Sequence, residues 1–249
     1  MTKTIAVTYQ DNVAHLCLRN GVTNAISPDM VEEMTEAVCS IRENAGAMVL
    51  EGGAKFFSIG LDVPCLLQLN EKEMGVFWDR FNHLVLTLYS LSIPTVCSIA
   101  GHAVAGGNIL AMACDYRLAT DNKKKTGLNE VHLGLPVPHL ASLMLTQIIG
   151  DRQATNMMYS GELMSLQDAM AIGFIDEIHA DAALLAQASS KASSLATCNG
   201  IAFSIMKSNR TMKIQASYER YRETTNKDFL DCWFSAPVQQ TLREAAKNF

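Results

Sequence analysis

The sequence is short of charged residues, and it has no apolar run long enough to cross a membrane. Charged side chains make up 18% of its 249 residues, whereas about 25% is usual for soluble domains. A membrane-spanning helix needs about 20 consecutive apolar residues, so the sequence predicts no membrane partner. We expect burial, a ligand pocket or, as our preferred interpretation, a subunit interface to explain the missing polarity.

Basic residues are also scarce. The 20 Lys and Arg residues are outnumbered by 25 Asp and Glu residues, and the formal net charge is −5. The run Lys123-Lys124-Lys125 is the one basic cluster, and we interpret it as a solvated loop. Without a broad basic face, the composition argues against nucleic acid as a partner.

The cysteines show no pairing pattern. There are seven, an odd number, never spaced as Cys-x-x-Cys, and several lie inside apolar runs. Such a pattern is typical of reduced, packed thiols. The first residues lead straight into strand-like alternation without a signal-peptide pattern. We therefore expect a cytoplasmic protein.

Strand patterns concentrate in the first half of the sequence and helix patterns in the second. Residues 4–9 and 13–19 alternate apolar and polar side chains around Asp11-Asn12, which predicts a β-hairpin. From about residue 137 onward the sequence reads as almost wholly helical. No linker rich in Gly, Ser or Pro separates the two parts. The pattern predicts an α/β fold with a helical C-terminal region.

Two glycine-containing loops carry the strongest chemical signal. In residues 105–111 a strand ends at Gly106-Gly107 and opens directly into an apolar helix, whose first N–H groups are unpaired and attract negative charge. A second loop, residues 57–62, turns at Gly60. Each loop can present one backbone N–H to the same oxygen. Taken alone, the glycines are better explained by turn geometry, and Glu130, one segment later, is better explained by helix or turn capping.

Three segments in order resemble the crotonase (enoyl-CoA hydratase/isomerase) superfamily: FFSIGLDV, IPTVCSIAGHAVAGGNILAMACDYRLAT and TGLNEVHLGLPVP. A later segment, GDRQATNMMYSGELMSLQDAMAIGFIDEI, extends the resemblance nearly end to end. The resemblance implies a crotonase-like spiral of ββα units over residues 1–190. It also implies a helical trimerisation region over 191–249, so that the chain forms a homotrimer or a hexamer.

The resemblance also implies roles for individual residues. The backbone N–H groups of Leu61 and Gly106 would form an oxyanion hole, and Glu130 would be the catalytic acid and base. Substrate and CoA contacts would fall on Ala25, Ser58, Ile59, Gly60, Asp62 and Ile109. Within this set we interpret the Ser58 hydroxyl as a turn group and Asp62 as a local cap. The ligand would be an acyl-CoA thioester, and no metal or redox cofactor is required, since coenzyme A arrives as part of the substrate.

Position 109 departs from the hydratases of the superfamily, which carry a second glutamate there. Hydration needs two carboxylates, one to activate water and one to supply a proton, and Ile109 can do neither. Moving a double bond from C3 to C2 needs one base only. CDYRLATDNKKKTGLNEVHLGL also resembles the Δ3,Δ2-enoyl-CoA isomerase branch. The sequence therefore favours an enoyl-CoA isomerase.

Two other functions stay open. The chain could be another CoA-thioester enzyme, such as a hydrolase, a decarboxylase or a weak hydratase that uses Glu130 alone. It could also be a crotonase-fold binding protein without catalysis. The roles of two histidines are open as well: we expect His102 to be packed near a strand end, whereas His132 could face Glu130 or turn away. Phe229 and Lys227 are candidate contacts to CoA.

Overall fold

The computed structural model describes residues 3–247, and its strands form two sheets. In this range the main sheet has the order β1-β2-β3-β5-β7-β10 and the smaller sheet has the order β4-β6-β8-β9. The strands are β1 (Ile5–Gln10), β2 (Val13–Leu18), β3 (Ala47–Glu51), β4 (Phe56–Ser58), β5 (Thr95–Ile99), β6 (His102–Val104), β7 (Tyr116–Thr120), β8 (Lys125–Gly127), β9 (Met164–Ser165) and β10 (Glu177–His179).

The predicted hairpin is confirmed. Strands β1 and β2 pair antiparallel, and the two turn residues Asp11 and Asn12 have φ values of 48° and 65°. Two positive φ values give a turn whose twist matches that of paired strands. The other neighbours in the main sheet run parallel, so each must be reached by a crossover connection.

The helices supply these crossovers. They are α1 (Pro28–Asn44), α2 (Val63–Leu66), α3 (Glu71–Tyr89), α4 (Gly106–Met112), a 3₁₀ helix (Glu130–Leu133), α5 (His139–Ser160), α6 (Leu166–Ala171), α7 (Asp181–Ala196), α8 (Gly200–Phe234) and α9 (Ala236–Ala246). Local sequence explains several starts. Ser27 caps α1 just before Pro28, and Asn70 with Glu73 forms a capping box at α3, which satisfies N–H groups that lack helical partners.

The chain repeats one unit three times. A strand of the main sheet is followed by a strand of the smaller sheet and then by a helix: β3–β4–α2, β5–β6–α4, and β7–β8 with the 3₁₀ helix and α5. This is the ββα spiral, so the predicted fold class is confirmed. The sequence alone shows no clear internal repeat, because the units are held together by sheet pairing rather than by repeated residues.

The central strands of the main sheet, β3, β5 and β7, are buried on both faces. Val49 faces α7 and packs with Leu184 and Ala188. Its neighbours Met48 and Leu50 face the larger core between the two sheets and helices. Such burial explains why these parallel strands read as continuous apolar runs rather than alternating ones.

The C-terminal helices are fastened to the spiral by polar contacts. The Arg222 guanidinium on α8 donates to both carboxylate oxygens of Asp79 on α3, at 2.9 and 2.7 Å. The buried Lys207 ammonium donates to Asp115 at 2.7 Å.

The boundary expected between residues 190 and 191 falls inside α7, which packs on the main sheet; the chain leaves that helix at 197–199. The region from about residue 137 also contains two strands that the helical prediction missed: β9 pairs with β8 in the smaller sheet, and β10 adds to the edge of β7.

No helix within residues 3–247 combines the length and apolar character needed to span a membrane.

Candidate active site

A cavity of about 300 Å³ lies between the loops of the spiral and the C-terminal helices. Three turns contribute to its lining: the β4–α2 turn, the β6–α4 turn and the segment that enters the 3₁₀ helix. Aromatic side chains of α3 and α8 also line it. Among the described residues that line it, Glu130 is the one ionisable group.

A larger and more open groove lies between the β1–β2 hairpin and α7, where His15 and Glu51 pair with each other at 2.6 Å.

The β4–α2 turn brings the amide of Leu61 to the cavity. Gly60 has a φ of 97°, which a residue with a Cβ rarely adopts. The Ser58 hydroxyl accepts the Gly60 N–H at 3.1 Å, and the Gly60 carbonyl accepts the Ile26 N–H at 2.8 Å. Within residues 3–247 the Leu61 N–H has no hydrogen-bond acceptor, so it is available to a ligand.

The β6–α4 turn brings the amide of Gly106 to the same place. Ala105 has a φ of 48° and a ψ of −121°. Its N–H donates to the Gly127 carbonyl, and its carbonyl accepts the Ile109 N–H, both at 2.9 Å. The N–H of Gly106 has no acceptor in the part of the chain that the structure describes. It is the second free amide beside the cavity.

The two turns are in direct contact. A Cβ placed on Gly60 would lie 2.9 Å from the Gly106 nitrogen, and one placed on Gly106 would lie 3.5 Å from the Leu61 nitrogen. Contacts under 3.0 Å are not tolerated by real Cβ atoms, so glycine is required where the turns meet. The two free N–H groups are therefore neighbours and can converge on one oxygen.

Glu130 is the first residue of the 3₁₀ helix, and its side chain is enclosed. The residue is 7% exposed, and its Oε2 atom has no hydrogen-bond partner in residues 3–247. Burial raises the pKa of Glu130 from 4.5 to about 7, and the backbone hydrogen bond that opposes this rise is the smaller effect. A carboxyl group with such a pKa can both accept and release a proton near neutrality.

Ile109 lines the same cavity from α4 and is 2% exposed. Its side chain places hydrocarbon beside the free amides and Glu130. The site thus combines two amide donors, one carboxyl group and an apolar lining. Such an arrangement can stabilise an oxyanion and transfer a proton. Its apolar lining disfavours water beside the amides and the carboxyl group.

A second part of the cavity lining is aromatic, and the sequence did not predict most of these side chains as part of the site. Trp78 of α3 and Phe229 of α8 stack with ring centroids 3.5 Å apart and planes 5° apart. Phe81 and Trp233 extend this wall. Their helical spacing in sequence is indistinguishable from that of core residues. Of the two C-terminal candidates for CoA contact, Phe229 lines the cavity, whereas Lys227 is exposed and pairs with Asp231.

Of the residues that the resemblance assigns to the site, five line this cavity: Ile59, Leu61, Gly106, Ile109 and Glu130. The other predicted contacts lie behind it or beside it. The Ser58 hydroxyl donates to the Asn24 carbonyl at 2.7 Å, so it holds the turn. Ala25 is buried with its carbonyl accepting the Asn20 amide, Gly60 forms the turn, and Asp62 caps α2 through the Cys65 N–H at 3.0 Å.

Both histidines point to local partners. The His102 Nδ1 atom accepts the Lys125 N–H at 3.0 Å, and its ring packs on Phe56 with centroids 5.4 Å apart. Burial is the main cause that lowers the pKa of His102, and the positive charges of Lys124 and Lys125 lower it further. The His132 Nε2 atom donates to the Ser160 carbonyl at 2.8 Å. Neither ring is among the described residues that line the cavity.

The described residues contain no grouping of three or more His, Cys, Asp or Glu side chains that could hold a metal ion.

The sequence profile of the enoyl-CoA hydratase/isomerase family matches residues 8–246. Enoyl-CoA delta isomerase 1, mitochondrial, of Mus musculus is 33% identical over 170 residues, which cover 67% of this chain and 59% of the mouse protein. A probable enoyl-CoA hydratase of Mycobacterium avium is 32% identical over 168 residues, which cover 67% of this chain and 65% of that protein. The matches thus span less than two thirds of these relatives.

Solved structures show the same fold. The crystal structure of human mitochondrial delta3-delta2-enoyl-CoA isomerase superposes with a TM-score of 0.94 and 22% identity, over 98% of this chain and 97% of the human one. An enoyl-CoA hydratase from Bacillus halodurans superposes with a TM-score of 0.88 and 20% identity, over 97% and 99% of the two chains. At these identities the likeness concerns the fold alone.

Proposed function

Because the chain belongs to the enoyl-CoA hydratase/isomerase family, we propose that it is an acyl-CoA isomerase that moves a C3 double bond to C2. The observation that carries the proposal is the pairing of one buried carboxyl group, Glu130, with two free amides, those of Leu61 and Gly106, in one apolar cavity. The substrate is an acyl-CoA thioester, and the reaction requires no metal or redox cofactor.

The reaction takes two proton transfers. The thioester oxygen accepts hydrogen bonds from the Leu61 and Gly106 N–H groups, which acidifies the C2 protons. Glu130 removes one of them; the C2–H electrons move into the C1–C2 bond and negative charge collects on the oxygen. Glu130 then returns the proton at C4, where the C3–C4 electron pair forms the new C–H bond. The C1–C2 electron pair moves between C2 and C3, and the charge leaves the oxygen as the C1 carbonyl re-forms. Atoms and charge balance without a co-reactant.

The geometry lowers both barriers. One oxyanion-hole donor is worth about 3 to 4 kcal/mol, and two donors act here on one oxygen. A pKa of about 7 keeps Glu130 basic enough to take the C2 proton and acidic enough to release it at C4. The apolar lining also keeps water away from the dienolate, so protonation by Glu130 is the favoured outcome.

A second candidate is hydration of the double bond, since relatives that carry the name hydratase are about as similar as the isomerase. Hydration needs an activated water and a proton for the neighbouring carbon. Ile109 supplies neither function, and Glu130 is the one ionisable side chain among the described residues of the cavity wall. The residues therefore support isomerisation over hydration.

We extend the proposal to assembly as a homotrimer or hexamer. Helix α8 leaves Ile201, Ile205 and Met206 exposed by 76, 56 and 63%, and apolar surface of this kind on one helix is typical of subunit contacts. Light scattering coupled to gel filtration measures the mass; a monomer would contradict the assembly.

All seven cysteines are free thiols, which supports a reducing compartment, the cytoplasm. Fractionation of the source cells tests that location.

The test of function is to offer 3-hexenoyl-CoA and to follow the absorbance of the conjugated thioester. Wild type should turn over, and Glu130→Gln should lose about 10³-fold in kcat, the scale of a general acid–base group. Glu36→Gln, an exposed acid on α1, is the matched control and should be unchanged. Crotonyl-CoA hydration is measured in parallel and should be very slow.

Each arm of this test has an outcome against the proposal. Absence of turnover by wild type refutes the isomerase, and full activity of Glu130→Gln refutes the role of that residue. Rapid hydration of crotonyl-CoA would favour the hydratase instead.

A further inference from the structure

Ala105 has a backbone conformation that alanine rarely adopts. Its φ of 48° and ψ of −121° are readily reached by glycine but are strained for a residue with a Cβ. The other non-glycine residues with positive φ in residues 3–247 are Asp11, Asn12 and Asn24. Their short polar side chains make left-handed backbone easier to adopt. Ala105 has no such group, so the surrounding structure must impose its conformation.

Two hydrogen bonds hold the backbone of Ala105 from opposite sides. Its N–H donates to the Gly127 carbonyl of β8, and its carbonyl accepts the Ile109 N–H of α4, both at 2.9 Å. The chain must reverse between these two partners, and the unusual φ and ψ achieve this within one residue. The next N–H, that of Gly106, is thereby left free beside the cavity.

The methyl group of Ala105 lies against the other turn. A Cβ built on Gly60 would come within 3.0 Å of the Ala105 Cβ and 2.9 Å of the Gly106 nitrogen. Gly60 precedes Leu61, which carries the second free N–H. The Ala105 methyl therefore lies close to Gly60, the residue before one free amide, while Ala105 itself precedes the other and lines the cavity.

We propose that Ala105 is a positioning residue, whose methyl group sets the spacing and orientation of the Leu61 and Gly106 N–H groups. Glycine would fit the backbone conformation without strain, yet it would remove the spacer and free the peptide that carries the Gly106 N–H. The strained conformation of Ala105 thus lowers local stability but holds the two N–H donors rigidly in place. The inference rests on the proposed function only in assigning the thioester oxygen as the acceptor.

The experiment compares wild type with Ala105→Gly and Ala105→Ser. Hexanoyl-CoA, which is saturated and cannot isomerise, is labelled with ¹³C at the thioester carbonyl, and its carbonyl stretch is recorded by infrared difference spectroscopy. Binding to wild type should lower this frequency, because two N–H groups polarise the carbonyl. Ala105→Gly should lose part of the shift, and its kcat with 3-hexenoyl-CoA should fall about 10-fold with KM unchanged, less than removal of a whole donor costs. Ala105→Ser, which keeps the Cβ, should retain most of the shift and of kcat.

Two controls separate positioning from a general structural effect. Asp11→Gly changes a residue with the same φ of 48° in the hairpin turn, away from the cavity, and should alter neither readout. The melting temperature of Ala105→Gly should equal or exceed that of wild type, because backbone strain is relieved. A fall in stability that accounts for the lost activity would contradict the inference.

The remaining outcomes also decide. If Ala105→Gly keeps the full carbonyl shift and kcat, or if Ala105→Ser loses as much as Ala105→Gly, the methyl group is not a spacer and the inference is wrong. If wild type shifts the carbonyl but does not isomerise 3-hexenoyl-CoA, the proposed function fails while the positioning role stands. If wild type does not shift the carbonyl at all, the two amides do not bind the thioester oxygen and the inference is overturned.

Discussion

Ile109 and Glu130 line one cavity, the first from α4 and the second from the 3₁₀ helix, and only the second can ionise. Both are buried, at 2% and 7% exposure. Burial raises the pKa of the Glu130 carboxyl group, and Ile109 adds hydrocarbon rather than a second carboxyl group to the cavity lining.

The first prediction concerns the pH dependence of activity. Glu130 must be ionised to remove the C2 proton, and burial places its pKa at about 7. We expect kcat/KM for 3-hexenoyl-CoA to rise about tenfold per pH unit below 7 and to level off above it. Initial rates between pH 5.5 and 9 measure the profile. An inflection near 4.5, the ordinary value for glutamate, would contradict the burial argument.

The second prediction concerns stability. A carboxyl group whose pKa is raised on folding favours the folded state below its unfolded value of 4.5, and this advantage is lost as the pH rises through about 7. Glu130→Gln cannot ionise, so its free energy of unfolding relative to wild type should increase with pH by about 3 kcal/mol between pH 4.5 and 8. Urea denaturation at both pH values measures it. A constant difference would show that the buried group does not titrate between them.

The third prediction introduces the missing acid. Ile109→Glu would place a second carboxyl group in the cavity, and the like charge should raise the pKa of Glu130 further. Isomerisation at pH 7 should fall about tenfold for each unit of that rise, and hydration of crotonyl-CoA should become measurable. Ile109→Gln, of the same size but without charge, is the control and should not gain hydration. Equal hydration by both variants would show that polarity alone is responsible.

The fourth prediction separates backbone strain from contact between the turns. Gly60 and Gly150 have φ values of 97° and 77°, so alanine is strained at both by about 1 to 3 kcal/mol. A Cβ on Gly60 would meet the Gly106 nitrogen at 2.9 Å, whereas one on Gly150 meets nothing within 4 Å. We expect Gly60→Ala to lose most activity and Gly150→Ala to keep it. Comparable losses of kcat in both variants would argue against the close approach.

The fifth prediction concerns the attachment of α8. Lys207 is buried, donates to Asp115 at 2.7 Å and to the Ile93 carbonyl at 3.2 Å, and its pKa is lowered by burial. Lys207→Met leaves the half-buried Asp115 carboxylate with its Thr95 donors but without its cationic partner, and should cost about 3 kcal/mol. Lys227→Met removes an exposed pair with Asp231 and should change nothing measurable. Thermal denaturation of both tests the contrast.

Local signals explain what could be predicted. The hairpin follows from alternation around Asp11-Asn12, and the start of α1 from Ser27-Pro28, because turns and caps depend on neighbouring residues. The glycine turns are predictable for the same reason, whereas the catalytic role expected of Glu130 came from the resemblance to the crotonase superfamily. Strand β10 was missed because three residues carry too little periodicity; its position beside β7 depends on pairing with a strand far away in sequence.

The residue types alone establish which groups are available: glycines that let two turns meet, Glu130, and Ile109 where hydratases carry a second acid. Their surroundings depend on the fold. Trp78 and Phe229 come from helices far apart in the chain, yet they stack on each other and line the same cavity as the free amides. Burial within the folded chain removes water from Glu130 and raises its pKa. Desolvation is a property of everything that surrounds a group, so it cannot be read from the residues next to it in sequence.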